Sequence, residues 1–94
     1  PMDEIRRQID EIDRQMAVLY EQRMMCALQV AEYKFNHHGK IFDPDREKAV
    51  IEKNVSRLDH VQFEKQYQAF LQFMMDQSKR LQTEYFEKMK KENH

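Results

Sequence analysis

The chain has 94 residues, which suits one small domain over 1–94 and excludes a two-domain enzyme. Sixteen basic and seventeen acidic residues give a formal net charge of −1, so no overall field recruits nucleic acid or a membrane surface. One glycine and two prolines leave no material for hairpin turns or a Gly-rich phosphate loop, and a 40% apolar fraction predicts a thin core in need of a partner.

The chain must therefore be mostly helix. The first helix reads from about Asp3 to about Asn36 without a glycine or proline. At ~1.5 Å per residue it spans about 50 Å, whereas a compact chain of this size has a radius of gyration of ~12–13 Å. Its apolar seam runs Ile5, Ile9, Ile12, Met16, Leu19, then skips to Cys26 and Val30. A spacing close to 3.5 asks for a second chain, so an obligate dimer is expected. Residues 36–42, "NHHGKIF", form the loop, with Gly39 as the expected left-handed residue after the helix end. In "DPDRE", Asp43 is the N-cap of the second helix and Pro44 its first residue. Val50, Ile51, Val55 and Leu58 make its buried side. Asp59 and Gln62 are spaced as a capping box for the third helix, which is expected to run to about Met89 with a frayed tail, "KMKKENH". The apolar stripe of that helix is Phe63, Tyr67, Phe70, Leu71, Met74 and Met75, with Leu81 and Tyr85 further on.

Each helix sends polar groups into its apolar rows. Arg23 stands in the seam where the rhythm calls for leucine, and Lys34 follows on the same face eleven residues later. Ser78 and Gln82 lie between Met75 and Tyr85 at spacings of three, four and three. Glu47 precedes Val50 and Ile51 by three and four, and Asp43 lies one turn earlier. Each has a plainer reading alone: a snorkelling or ion-paired arginine, a serine and amide satisfied by backbone, a simple N-cap. Together they place two cations, a serine, an amide and a carboxylate toward one interior. Buried charge must be compensated, and a small anion in a dry pocket between the helices compensates it most simply. Arginine forks suit a carboxylate ligand.

These residues carry a resemblance. The pattern R-x-x-I-D-x-I-D from Arg6 to Asp13, then Arg23, Lys34, "DPDRE" and S-x-x-x-Q from Ser78 to Gln82, resembles the all-helical class of chorismate mutases over roughly residues 3–86. The resemblance implies an all-α fold of three helices per chain, one very long, in an intertwined homodimeric six-helix bundle with two shared sites. It implies rearrangement of chorismate to prephenate by a Claisen [3,3] shift, in aromatic amino-acid biosynthesis, without cofactor, metal or covalent intermediate. By carry-over, Arg23 and the other chain's Arg6 would hold the substrate carboxylates with Ser78 assisting. Lys34 and Gln82 would donate to the breaking ether bond, Glu47 and Asp43 would bind the ring hydroxyl, and Arg46 would order the second helix. Lys79 stands where the family varies and would add a cation near the pocket.

Other residues add less. Met24, Met25, Met74 and Met75 read as site lining or as core filler, and Cys26 as a small buried hydrophobe on the seam. As a single cysteine, Cys26 excludes an intrachain disulfide and suits a reducing compartment, so a cytoplasmic location is expected. No apolar run approaches the ~20 residues of a membrane span and no signal-peptide core is present; a leader removed ahead of Pro1 is compatible with the chain. His37, His38, His60 and His94 show no metal-ligand spacing. Two other functions fit parts of the pattern. An isochorismate-pyruvate lyase shares the arginines and lysine but lacks the glutamate that "DPDRE" supplies, and a non-catalytic helical dimer explains the seam but not five polar groups in register.

Overall fold

The computed structural model describes residues 1–93. Among these there are three α-helices and no strand: α1 (Met2–Asn36), α2 (Pro44–Val55) and α3 (Glu64–Glu92), with a short 3₁₀ turn at Val61–Phe63. The all-helical expectation and the helix count hold. The tail expected to fray continues α3 to Glu92 with Lys90 and Lys91 in the last turn, where cations favour the negative end of the helix dipole. His94 lies outside the described residues.

Helix α1 ends in a Schellman-type cap. Gly39 N–H donates to Lys34 C=O at 2.7 Å and His38 N–H to Phe35 C=O at 3.5 Å. This geometry puts the left-handed residue at His38, with φ 58, and not at Gly39 as the sequence led us to expect. Gly39 serves a different need: a Cβ there would stand 3.2 Å from both Cβ and Cγ of Lys34, so the glycine lets the chain fold back against that side chain.

Asp43 caps α2 as expected, its Oδ1 accepting from Arg46 N–H at 3.1 Å, with Pro44 in the first turn. Val50, Ile51, Val55 and Leu58 are half-buried, so α2 docks by a modest apolar face. The capping box at Asp59 and Gln62 does not form. The chain runs extended at His60 and enters α3 through the 3₁₀ turn, whose start has no side-chain cap.

The core is a single face of α3, Leu71, Met75, Ser78 and Gln82, at spacings of four, three and four. Ala27 and Ala31 of α1, one turn apart and 6% and 0% exposed, let the two backbones approach closely there. Phe35 adds edge-on contacts to Tyr85 and Phe86, with ring centroids 6.4 and 5.3 Å away. Both α1 and α2 pack on α3, and α3 therefore organises the fold. The apolar seam along the N-terminal half of α1 is uncovered: Ile5, Ile9, Ile12, Met16 and Leu19 are 46–62% exposed. The radius of gyration is 16.7 Å and the longest dimension 60 Å, well beyond a compact chain of this length.

Candidate active site

A cavity of about 510 Å³ opens where the C-terminal half of α1, the 37–43 loop, the first turns of α2 and the middle of α3 meet. Its polar lining is Arg23 and Lys34 from α1, Asp43, Arg46 and Glu47 from the start of α2, and Ser78, Lys79 and Gln82 from α3. Cys26, Ala27, Val30, Ile41, Val50 and Met75 form its apolar walls. Seven of the eight residues singled out from the sequence therefore share one cavity. The eighth, Arg6, lies exposed near the start of α1 and is not among the lining residues.

Helical periodicity accounts for the convergence. Arg23, Ala27, Val30 and Lys34 follow one another at four, three and four on α1. Ser78 and Gln82 sit one turn apart on the buried face of α3, and Gln82 Nε2 donates to Ser78 Oγ at 3.1 Å. Gln82 Oε1 is buried with no partner among the described residues, an unsatisfied polar atom in a wall of the cavity. Lys34 Nζ donates to Ile41 C=O at 3.3 Å, which draws the ammonium toward the loop. Asp43 fills its plainer role, capping α2, while also lining the cavity.

The charges are unevenly matched. Glu47 pairs with Lys79 at 2.9 Å, and Lys79 also reaches Asp76 at 3.3 Å and lies 4.6 Å from the Phe42 ring centroid. The hydrogen bond to Glu47 is the main reason that the Lys79 ammonium is held above the usual lysine range, with Asp76 adding to it. The Asp76 carboxyl is held below the usual range, first by the hydrogen bond from Gln72 and then by Lys79. Among the described residues neither Arg23 nor Lys34 has a carboxylate within salt-bridge distance. Arg46 has none either, so the cavity keeps three cations and an amide without anionic partners among the described residues, a chemistry suited to a small anion.

The walls hold no histidine, and Ser78 Oγ accepts from the Gln82 amide. Among the described residues no group of three or more His, Cys, Asp and Glu is placed to hold a metal. Two expectations change. Cys26 is exposed, not buried, in the single chain. The methionines divide: Met75 lines the site, Met74 backs a second cavity, Met24 is half-buried on another face, and Met25 is 58% exposed. That second cavity, about 750 Å³, is largely apolar and lies between Met16, Leu19 and Tyr20 of α1 and Tyr67, Phe70 and Leu71 of α3; Arg23 borders it too. Two features of the site escaped the sequence reading, the Lys79–Glu47 pair and its Gln72 neighbour. A seven-residue interval from Gln72 to Lys79, two turns on one helix face, was the available signal.

Fold and site together define an all-helical protein with a cavity lined by arginine, lysine and amide groups. Residues 5–83 match the family described as chorismate mutase type II. A curated chorismate mutase from Methanocaldococcus jannaschii is 34% identical over 92 residues, covering 96% of this chain and 92% of that protein. The chain belongs to the chorismate mutase type II family. No solved structure gives a significant match. Among the described residues no helix is long and apolar enough to cross a membrane.

Proposed function

We infer that the chain rearranges chorismate to prephenate, working as a homodimer with two shared sites. The observation that carries this reading is the cavity in which Arg23, Lys34 and Gln82 face a common space without carboxylate partners. In a Claisen [3,3] shift one C–O bond breaks and one C–C bond forms within a single cyclic electron shift. No atom leaves, no proton is exchanged, and no nucleophile is needed. The protein must hold the enolpyruvyl arm over the ring and stabilise charge growing on the ether oxygen. In this reading Arg23 and the partner's copy of Arg6 clamp the two carboxylates, with Ser78 assisting. Lys34 and Gln82 donate to the ether oxygen. An amide's oxygen and nitrogen exchange places by a half-turn, so Gln82 offers an N–H at the unsatisfied position when Ser78 donates to Oε1 instead. Glu47 and Asp43 accept from the ring hydroxyl, and Arg46 steadies the start of α2. A million-fold acceleration corresponds to about 8 kcal/mol, within reach of clamping and electrostatic stabilisation together.

The dimer is supported by the uncovered seam of α1 and by the apolar second cavity, which a partner's α1 would fill. Glu47 in the cavity favours the mutase over an isochorismate-pyruvate lyase, and a purely structural dimer has no use for the cations. The test is loss of chorismate absorbance on adding purified protein, run beside isochorismate. Prephenate formation is expected. Unchanged chorismate, or pyruvate release from isochorismate alone, overturns the reading.

A further inference from the structure

Lys79, Glu47, Gln72 and Asp76 close a ring of polar contacts between α2 and α3. Lys79 Nζ meets Glu47 Oε2 at 2.9 Å and Asp76 Oδ1 at 3.3 Å. Gln72 Nε2 donates to Glu47 Oε1 at 3.2 Å and to Asp76 Oδ1 at 3.1 Å. Gln72 and Lys79 thus grip both oxygens of the carboxylate that α2 sends toward the cavity, and Asp76 braces both gripping side chains. The Lys79 and Glu47 side chains are 28% and 15% exposed, so this pair is shielded more than an ordinary surface ion pair. The Phe42 ring over the ammonium shields it further. Helix α2 has no fully buried residue, so apolar packing alone fixes the direction of Glu47 weakly.

The ring matters because of what else the carboxylate could reach. Arg23, Lys34 and Arg46 line the same cavity. A Glu47 released from α3 has these cations as alternative partners, and pairing with them would occupy the groups that receive the substrate. We propose that Lys79 is a positioning residue that holds the Glu47 carboxylate against α3, directing it at the substrate's ring hydroxyl and keeping it off the substrate-binding cations. The role of Glu47 here rests on the functional reading above, but the contacts of Lys79 do not.

The test is a double-mutant cycle between Lys79→Met and Glu47→Gln, with Lys79→Arg as the conservative variant, scored by kcat and KM for chorismate and by thermal melting. Lys79→Met should lower kcat/KM about tenfold, with KM raised, because the freed carboxylate competes for the cations. In the Glu47→Gln background the same change should cost less than about twofold, since a neutral amide does not compete. Lys79→Arg should restore kcat/KM to within about threefold of wild type, as a guanidinium keeps the ion pair. Equal losses in both backgrounds would mean that Lys79 touches the substrate directly, and overturn the proposal. A lowered melting temperature with kcat/KM unchanged would reduce Lys79 to a structural brace, and also overturn it. A wild-type protein inert toward chorismate overturns the functional reading and this proposal together; an active wild type with an unaffected Lys79→Met variant overturns this proposal alone.

Discussion

Arg23 occupies a seam position whose neighbours at three and four residues are Leu19, Cys26 and Ala27, and it borders both cavities. No carboxylate among the described residues repays its partial burial. If the substrate is its partner, Arg23→Ala should leave the fold intact and cost on the order of 3–4 kcal/mol of transition-state stabilisation, roughly a hundred- to thousand-fold in kcat/KM. Urea melts run beside the kinetics check this, because a structural arginine would instead show earlier unfolding with activity retained. Gln82 makes a second test at the same scale. An amide donates at every pH, whereas a glutamic acid donates only while protonated, so Gln82→Glu should be active in acid and lose activity as pH rises through the new carboxyl's titration. A profile unchanged between wild type and variant would remove Gln82 from the breaking bond. These residues were legible in the sequence because polar side chains at helical spacing inside apolar rows violate the pattern around them. The Lys79 pairing is not legible in the sequence: a lysine on a helix face breaks no pattern, and its partner Glu47 lies on a different helix. Cys26, expected to be buried on the seam, is exposed because nothing in the single chain covers that seam.

Helix identities followed from periodicity and the absence of breakers, and the Asp43–Pro44 start was legible because its signal is local and chemical. Two other local signals failed for a common reason, that tertiary geometry chose the backbone. Asp59 and Gln62 have the right spacing, but the chain is extended at His60 and α3 begins through a 3₁₀ turn. Gly39 has the right composition for a left-handed residue, but the Schellman register puts His38 there. The two residues of this cap should therefore respond oppositely. A side chain at positive φ costs roughly 1–2 kcal/mol, and glycine's extra unfolded freedom offsets about 0.4–1 of it, so His38→Gly should raise the melting temperature slightly. Gly39→Ala should press on Lys34 at 3.2 Å and lower kcat by several-fold to about tenfold, more than its effect on stability explains. Equal activity in both variants would detach the cap from the site. The α2–α3 tie carries its own pH signature. The folded-state value of Lys79 is raised, so its stabilising contribution is fully present below the usual lysine value of 10.5 and is lost as pH rises through the raised one. At fixed protein concentration, the gap in urea midpoint between wild type and Lys79→Met should hold steady at neutral pH and close only above pH 10.5.

At the scale of the whole molecule, one chain is 60 Å long, its α1 seam from Ile5 to Leu19 is exposed, and Arg6 lies outside the cavity that gathers the other candidate residues. The exposed seam was legible because it repeats over many turns; what would cover each residue was not, since one sequence holds no register between copies. Arg6 precedes Arg23 by seventeen residues, which on one straight helix is about 25 Å, too far for a single small dicarboxylate to bridge. In a two-fold dimer with crossing α1 helices, Arg6 of one protomer can stand beside Arg23 of its partner. Arg6→Ala and Arg23→Ala should then each be nearly inactive alone. On co-refolding equal amounts, half the dimers are mixed, and each mixed dimer pairs the intact Arg6 of one protomer with the intact Arg23 of the other. That gives one complete site and one doubly damaged site, so activity should return to about a quarter of the wild-type value, as an isologous interface requires. Mixed dimers confirmed by mass spectrometry yet without activity would show that the two arginines do not share a site, and full independence of Arg6 from activity would leave the cavity of a single chain complete without it.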